Sequence, residues 1–114
     1  MKILITGGAG YIGSHLVDSF LSRDDTVTVI DNLFTGKAEN IQHNMDLPRF
    51  SFISGDIKDR ALMERLIKGH DIVCHLAAVV GVKHVLSHPV QSILDNAIGT
   101  ETVLTLAHKY KTIS

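Results

Sequence analysis

Glycines near the start of the chain are spaced to bind a phosphate group. They lie in the run Thr6-Gly7-Gly8-Ala9-Gly10-Tyr11-Ile12-Gly13. Gly7 and Gly8 allow a tight turn, Gly10 lets the backbone approach a pyrophosphate, and Gly13 lets a following helix pack closely on a strand. The free N–H groups and the positive dipole end of that helix would then face the anion. The motif therefore predicts a dinucleotide site.

An acidic residue after the next apolar run agrees with this prediction. Asp31 follows Val27, Val29 and Ile30, at about the distance where a carboxylate accepts the ribose hydroxyls of a dinucleotide. The alternative is that Asp31 only ends a strand and shapes a turn. Because a carboxylate repels a 2′-phosphate, we expect NAD rather than NADP, although Lys37 nearby keeps NADP open.

Strands and helices that could position these residues alternate along the chain. The β-branched run before the glycines predicts a strand, and Ile12, Leu16, Val17 and Phe20 recur at helical spacing after them. Further strands are predicted over 26–30, 50–54 and 71–76, helical turns over 38–44, and a loop or strand extension over 79–86. Asp59 and Gly69 are suited to begin and end a helix, and Pro89 to begin a long one that ends at Tyr110 or Lys111.

This alternation predicts an α/β fold of the Rossmann type: a parallel sheet in the order 3-2-1-4 with helices on both faces. The glycine turn and the Ala77-Ala78 turn would meet where the winding reverses. We expect residues 1–114 to be a single dinucleotide-binding domain, truncated after about four strands. Residues 112–114 fall where a fifth strand would begin, so the fourth strand would be an apolar edge that a partner covers or that truncation has exposed.

Composition narrows the class of protein. The chain has 114 residues, of which 45% are hydrophobic and 20% charged, so it is typical of a globular domain. A net charge of −1 gives no electrostatic support for binding nucleic acid or an anionic membrane. The first apolar run is too short for a membrane anchor. A single cysteine, Cys74, favours a reducing compartment, and we expect the cytoplasm.

The ordered motifs resemble the extended short-chain dehydrogenase/reductase family, and most of all its NAD-dependent nucleotide-sugar epimerases and dehydratases. The resemblance covers essentially the whole chain. It rests on the glycine run, Asp31-Asn32-Leu33, Thr35-Gly36, Gly55-Asp56-Ile57, His75-Leu76-Ala77-Ala78, Pro89, and Asn96 with Gly99-Thr100.

The resemblance implies a set of NAD-binding residues. Gly7, Gly10, Tyr11 and Ile12 would line the pyrophosphate turn; Asp31, Asn32, Thr35 and Gly36 would surround the adenosine ribose; Asp56 and Ile57 would meet the adenine; Leu76, Ala77 and Ala78 would run beside the cofactor; and Asn96 would have a positional role. For Asp56, capping a turn is the alternative.

The catalytic part of the family pattern is missing from this chain. The family uses a Tyr-x-x-x-Lys pair, but His15 follows Tyr11 by four positions and Ser114 follows Tyr110. We therefore assign no catalytic residue and expect no turnover by the chain alone. The resemblance implies the NAD-binding part of an enzyme whose full-length form acts on a nucleotide sugar. The alternatives are a non-catalytic dinucleotide-binding module and another extended-family ketone reductase.

Other candidates have simpler interpretations. His84 and His88 are spaced for two metal ligands on one helix, but Pro89 and the lack of an evident third ligand argue against a metal. Cys74 is predicted to be a buried inert thiol, His75 a structural histidine and Lys83 a solvated side chain. The helix over 89–110 is apolar over more than one face, which suggests a partner, and the resemblance implies a homodimer.

Overall fold

The chain folds around a parallel sheet whose strands lie in the order β3-β2-β1-β4, which confirms the prediction. The computed structural model describes residues 1–79 and 81–114. The strands are β1 (Lys2–Thr6), β2 (Thr26–Asp31), β3 (Phe50–Ser54) and β4 (Ile72–His75). Thr6 pairs with both Ile30 and His75, and Asp31 pairs with Ser54. The carboxyl ends of the strands therefore meet at one edge of the sheet.

The helices that the structure describes are α1 (Tyr11–Ser22), α2 (Arg60–Lys68), α3 (Val82–Ser87) and α4 (Pro89–Tyr110), with short 3-10 turns at Ala38–Asn40 and Gln42–Asn44. Of these four helices, α1, α2 and α4 begin and end close to the predicted positions. The Asp59 carboxylate accepts the Leu62 N–H at 3.2 Å and so caps α2, which Gly69 ends. None of the helices in the described ranges has both the length and the apolar character needed to cross a bilayer.

The sheet carries helices on both faces because the successive residues Ile3, Leu4 and Ile5 of its central strand β1 are all apolar and buried. On one face Ile3 and Ile5 pack with Val17 and Leu21 of α1. On the other face Leu4 packs in a cluster formed by α2 and α4 with β2 and β4, whose buried members include Ile30, Met63, Ile67, Val73, Val103 and Leu106. Side chains alternate between the faces of a strand, so the continuous apolar run of β1 supplies both cores.

The stretch after β4 differs from the sequence prediction. Residues 82–87 form the short helix α3 instead of a loop or strand extension, and Val80 of the predicted stretch lies outside the described residues. Backbone bonds of 2.9 Å from Val85 to Gly81 and from His88 to His84 hold this helix. Six residues are too few for an apolar periodicity to be visible in the sequence.

The predicted fourth strand is also shorter than expected, and its outer edge is partly paired. Ile113 forms a parallel bridge with Ile72. Its carbonyl accepts the Val73 N–H at 2.7 Å, and its own N–H donates to Asp71 at 3.1 Å. The expectation of a bare edge is therefore wrong at this point, because the residues after α4 return to the sheet beside β4.

Candidate functional site

A cavity of about 700 Å³ lies at the carboxyl edge of the sheet. Its volume is in the range of small-molecule and cofactor sites, roughly 300–1,000 Å³. All the residues that the resemblance assigns to a cofactor line this cavity: Gly7, Gly10, Tyr11, Ile12, Asp31, Asn32, Thr35, Gly36, Asp56, Ile57, Leu76, Ala77, Ala78 and Asn96. The fold thus brings together residues from segments that are far apart in the sequence. That they bind a cofactor remains a prediction.

The glycine turn is packed so tightly that side chains are excluded. Gly7 has a φ of +74°, and a Cβ there would lie 2.7 Å from the Ala77 nitrogen. Its N–H donates to the Ile30 carbonyl at 2.9 Å. The turn therefore lies against the segment that follows β4, as the predicted strand order requires.

The first turn of α1 presents backbone donors to the cavity. Helix geometry leaves the first amides without an intrahelical acceptor, and those of Tyr11, Ile12 and Gly13 belong to residues that line the cavity. The N-cap is Gly10, and in the described structure no acidic side chain occupies the first turn. Donors and helix dipole together can hold an anion such as a pyrophosphate.

Asp31 joins the glycine turn to the loop after β2. Its side chain is buried and lines the cavity. Oδ2 accepts the Ala9 N–H at 3.0 Å, and Oδ1 accepts the Leu33 N–H at 2.8 Å. A carboxylate offers about four lone-pair positions, so this one can shape the turn and still accept two ribose hydroxyls. The two interpretations of Asp31 are therefore compatible.

The loop after β2 is held in an uncommon backbone conformation. Leu33 has a φ of +60°, a region that residues with a Cβ seldom adopt. The Asn32 side chain accepts the Phe34 N–H at 3.0 Å. Lys37 donates its backbone N–H to the Ala9 carbonyl at 3.0 Å. The loop is thus fixed against the glycine turn, with Phe34 58% exposed at the cavity wall.

Polar side chains close the cavity beside the loop after β3. Asp56 accepts the Lys58 N–H at 2.8 Å, so it caps a turn while it lines the cavity. The Lys58 ammonium donates to Asp95 at 3.3 Å, and Gln91 donates to the same carboxylate at 2.7 Å. The hydrogen bond from Gln91, followed by Lys58, holds the pKa of Asp95 below its ordinary value. This group therefore stays ionised at neutral pH.

Asn96 fixes the segment that follows β4. Its side-chain oxygen accepts the Val79 N–H at 2.6 Å, and its amide nitrogen donates to the Val79 carbonyl at 3.2 Å. The side-chain amide of Asn96 pairs with the N–H and the C=O of one residue, as a neighbouring backbone would. Asn96 thus holds the cavity wall in place from α4.

Thr6 and His75 lock the ends of β1 and β4 together. The Thr6 hydroxyl accepts the N–H groups of Leu76 and Ala77, each at 3.1 Å, and lies 2.7 Å from His75 Nδ1. A hydroxyl has one proton and two lone pairs, so its proton is donated to Nδ1. The imidazole is therefore neutral with its own proton on Nε2. Burial lowers the pKa of His75, which agrees with this form. Burial likewise raises the pKa of the neighbouring Cys74 thiol, which keeps it protonated.

Replacing Thr6 with valine is expected to lower the free energy of unfolding by about 2 kcal/mol. Valine has nearly the same shape but removes the hydroxyl partner of the Ala77 N–H and of the imidazole nitrogen, whereas the Leu76 N–H keeps the Thr6 carbonyl at 3.0 Å. One such loss costs about 1–3 kcal/mol. Urea unfolding followed by circular dichroism measures the change. Thr105→Val is the matched control, because the exposed Thr105 hydroxyl donates to Glu101 one turn away on α4. This substitution should change the free energy of unfolding by less than about 0.5 kcal/mol. Equal effects of the two substitutions would show that the hydrogen bonds of the Thr6 hydroxyl do not stabilise the fold.

Several residues that line the cavity belong to no motif in the sequence. Lys58, Gln91 and Asp95 line the cavity, and their only signal is proximity to Asp56 and Asn96 in the chain. His84 and His88 also line it, but as stacked rings with centroids 4.8 Å apart. Within the described ranges no group of three or more potential ligands could hold a metal ion. Lys83 is exposed.

Comparison with known proteins gives the family. A sequence model described as GDP-mannose 4,6 dehydratase matches residues 4–114, which is nearly the whole chain. The chain belongs to this family, within the extended short-chain dehydrogenases/reductases. The GDP-mannose 4,6 dehydratase family assignment agrees with the strand order and with the glycine turn described above.

The relatives that the chain matches are longer proteins. The chain is 41% identical over 118 residues to a dTDP-glucose 4,6-dehydratase of an Actinoplanes species, covering 96% of the chain and 37% of that protein. It is 40% identical over 109 residues to UDP-glucuronic acid decarboxylase 2 of Arabidopsis thaliana, covering 96% of the chain and 23% of that protein. The chain thus spans well under half the length of these relatives.

Solved structures of the family superpose on nearly the whole chain. A dTDP-glucose 4,6-dehydratase from Streptomyces venezuelae with NAD and TYD bound matches 98% of the chain with a TM-score of 0.90 and 34% identity. A UDP-glucose 4-epimerase from Thermus thermophilus in complex with NAD matches 98% with a TM-score of 0.83 and 36% identity. The chain covers 37% and 35% of these two proteins, respectively.

Proposed function

We propose that the chain is the NAD-binding part of a nucleotide-sugar epimerase or dehydratase, an isomerase or lyase of the cytoplasm. The observation that carries this proposal is the cavity at the strand ends, which the glycine turn, Asp31, Asp56 and the 76–78 segment all line. The matched structures of relatives that contain NAD support the choice of cofactor.

The donors and acceptors of the cavity are arranged for a dinucleotide. The first amides of α1 bind the pyrophosphate, the Asp31 carboxylate accepts the hydroxyls of the adenosine ribose, and Asp56 with Ile57 contacts the adenine. Ala77 and Ala78 leave room for the cofactor beside β4. When bound, NAD supplies a transient acceptor for a hydride from the sugar. This chain's own residues bind and orient the cofactor.

This chain holds no evident acid/base pair for the proposed reaction. Neither Tyr11 nor Tyr110 begins a Tyr-x-x-x-Lys sequence, and His75 is held neutral within the Thr6 contact described above. We therefore propose that residues outside this chain supply the catalytic tyrosine and lysine and the sugar pocket. The chain alone should bind the cofactor without turnover.

Titration with NADH tests the function. The fluorescence of NADH should rise as it leaves water for the cavity, and NADPH should bind at least about tenfold more weakly, since a 2′-phosphate within about 4 Å of a carboxylate costs several kcal/mol at an effective dielectric constant of 20. An excess of NAD should reverse the signal. No binding of either cofactor, or tighter binding of NADPH, would contradict the proposal.

We also propose that α4 pairs with the same helix of a second copy. Val90, Leu94 and Ile98 recur at four-residue steps and are 69%, 48% and 47% exposed, so they form an apolar stripe along one face. Packing against another copy would bury this stripe. Sedimentation should show a dimer for the chain and a monomer for Leu94→Glu, while Ser19→Glu, at an exposed position of α1, should remain dimeric. A monomeric wild-type chain would exclude this interface.

A further inference from the structure

The rings of Phe34, His84 and His88 form a continuous contact along the cavity. The Phe34 and His84 rings meet edge to face with centroids 4.9 Å apart and an interplanar angle of 71°. The His84 and His88 rings stack with centroids 4.8 Å apart and an angle of 19°. All three residues line the cavity. We call this set the aromatic bridge.

The aromatic bridge joins elements on opposite sides of the glycine turn. Phe34 follows β2, whereas His84 and His88 follow β4, and β1 lies between these two strands in the sheet. Neighbouring strands are about 4.8 Å apart, so the ends of β2 and β4 are separated by about 10 Å. A contact between their loops therefore crosses the mouth of the crevice in which the first amides of α1 lie.

The exposure of the rings places them between the cavity and the solvent. Phe34 is 58% exposed although it lines the cavity, and His88 is exposed as well. The backbone before Phe34 is held in place, because Leu33 adopts a left-handed conformation and donates its N–H to Asp31. An exposed phenylalanine held this way contributes little to the core, but it can cover a ligand.

We propose that the aromatic bridge retains the bound dinucleotide, so that separation of Phe34 from His84 limits its release. This inference rests on the proposed function, because it requires a dinucleotide in the cavity. The pyrophosphate bound at the glycine turn lies beneath the bridge, and the dinucleotide cannot leave toward the solvent until the loops after β2 and β4 move apart. The bridge thus acts on the dissociation rate more than on the contacts within the cavity.

Release of NADH from the wild-type chain and its variants tests the proposal. The chain is loaded with NADH, mixed rapidly with excess NAD, and the loss of NADH fluorescence gives the dissociation rate. An edge-to-face aromatic contact has a strength that corresponds to about a three- to tenfold change in rate. Phe34→Ala and His84→Ala should each speed release by about that factor. The double variant should be no faster than His84→Ala alone, because the one contact that Phe34→Ala breaks is already lost in His84→Ala.

Two further variants separate the bridge from general damage to α3. Leu86 lies on the same helix and is 75% exposed. The Leu86→Ala variant should release NADH at the wild-type rate. His84→Phe keeps a ring against Phe34 and should restore slow release. Circular dichroism checks that each variant is folded.

The outcomes distinguish the two proposals. If the wild-type chain binds no NADH, the proposed function fails and the bridge has nothing to retain. If NADH binds but Phe34→Ala and His84→Ala release it at the wild-type rate, the function stands and the bridge is excluded. Acceleration by Leu86→Ala as large as that by His84→Ala would also overturn the proposal, because it would show a general effect of α3.

Discussion

Replacing Asp31 with alanine is expected to weaken NADH binding about a hundredfold and to lower the free energy of unfolding by about 2–4 kcal/mol. Two hydrogen bonds from ribose hydroxyls to a carboxylate are worth about 1.5 kcal/mol each, and their combined loss corresponds to about two factors of ten in affinity. The stability falls because Ala9 and Leu33 lose the acceptor of their N–H groups, at about 1–2 kcal/mol for each unsatisfied group.

Fluorescence titration and urea unfolding measure the two effects separately. Asp46→Ala is the matched control, since it removes the same charge from an exposed residue outside the cavity. Asp31→Asn keeps the shape of the side chain but brings an NH₂ group against one of the two backbone donors, so it should also lose affinity. The preference for NADH over NADPH should shrink in both Asp31 variants. Retention of NADH affinity within about threefold in Asp31→Ala would remove the basis for the ribose assignment.

The predictable part of the fold and site is the part whose signal is local. The run Lys2–Thr6, the glycines after it and the helical spacing of α1 lie within about twenty residues, so strand, turn and helix are visible together. Asp31 ends a clear β-branched strand. The order 3-2-1-4 follows because parallel strands joined by helices have few ways to pair. These elements place the cavity before any contact is known.

The remaining features depend on contacts between distant segments. Thr6 and His75 are 69 positions apart, and nothing near either residue indicates that their side chains meet. His84 lies within α3, whereas His88 lies between the end of α3 and the start of α4 at Pro89. The two rings stack on each other, and the His84 ring contacts Phe34. Only the tertiary structure shows these contacts.

Replacing Gly13 with alanine should be the most damaging of the glycine substitutions in α1 and its turn. A Cβ there would lie 2.3 Å from the Gly7 carbonyl oxygen and 2.8 Å from the Gly8 Cα, and both are backbone atoms that no rotamer change can move. Alanine favours a helix over glycine by about 1 kcal/mol, but overpacking against fixed atoms costs about 3 kcal/mol or more. The free energy of unfolding should therefore fall by at least about 2 kcal/mol.

The same substitution should abolish NADH binding in the protein that remains folded. To relieve the contact, α1 has to move away from the glycine turn, and its first amides then no longer point to the place where a pyrophosphate would lie. Gly69→Ala is the matched control, because the nearest atoms to its Cβ are 3.6 and 3.7 Å away, so both stability and binding should stay near wild type. Gly10→Ala should fall between the two, with a single contact of 3.3 Å to the Gly7 carbonyl. If Gly13→Ala unfolded at the wild-type urea concentration and bound NADH normally, close packing of α1 on the turn could not be what positions the anion site.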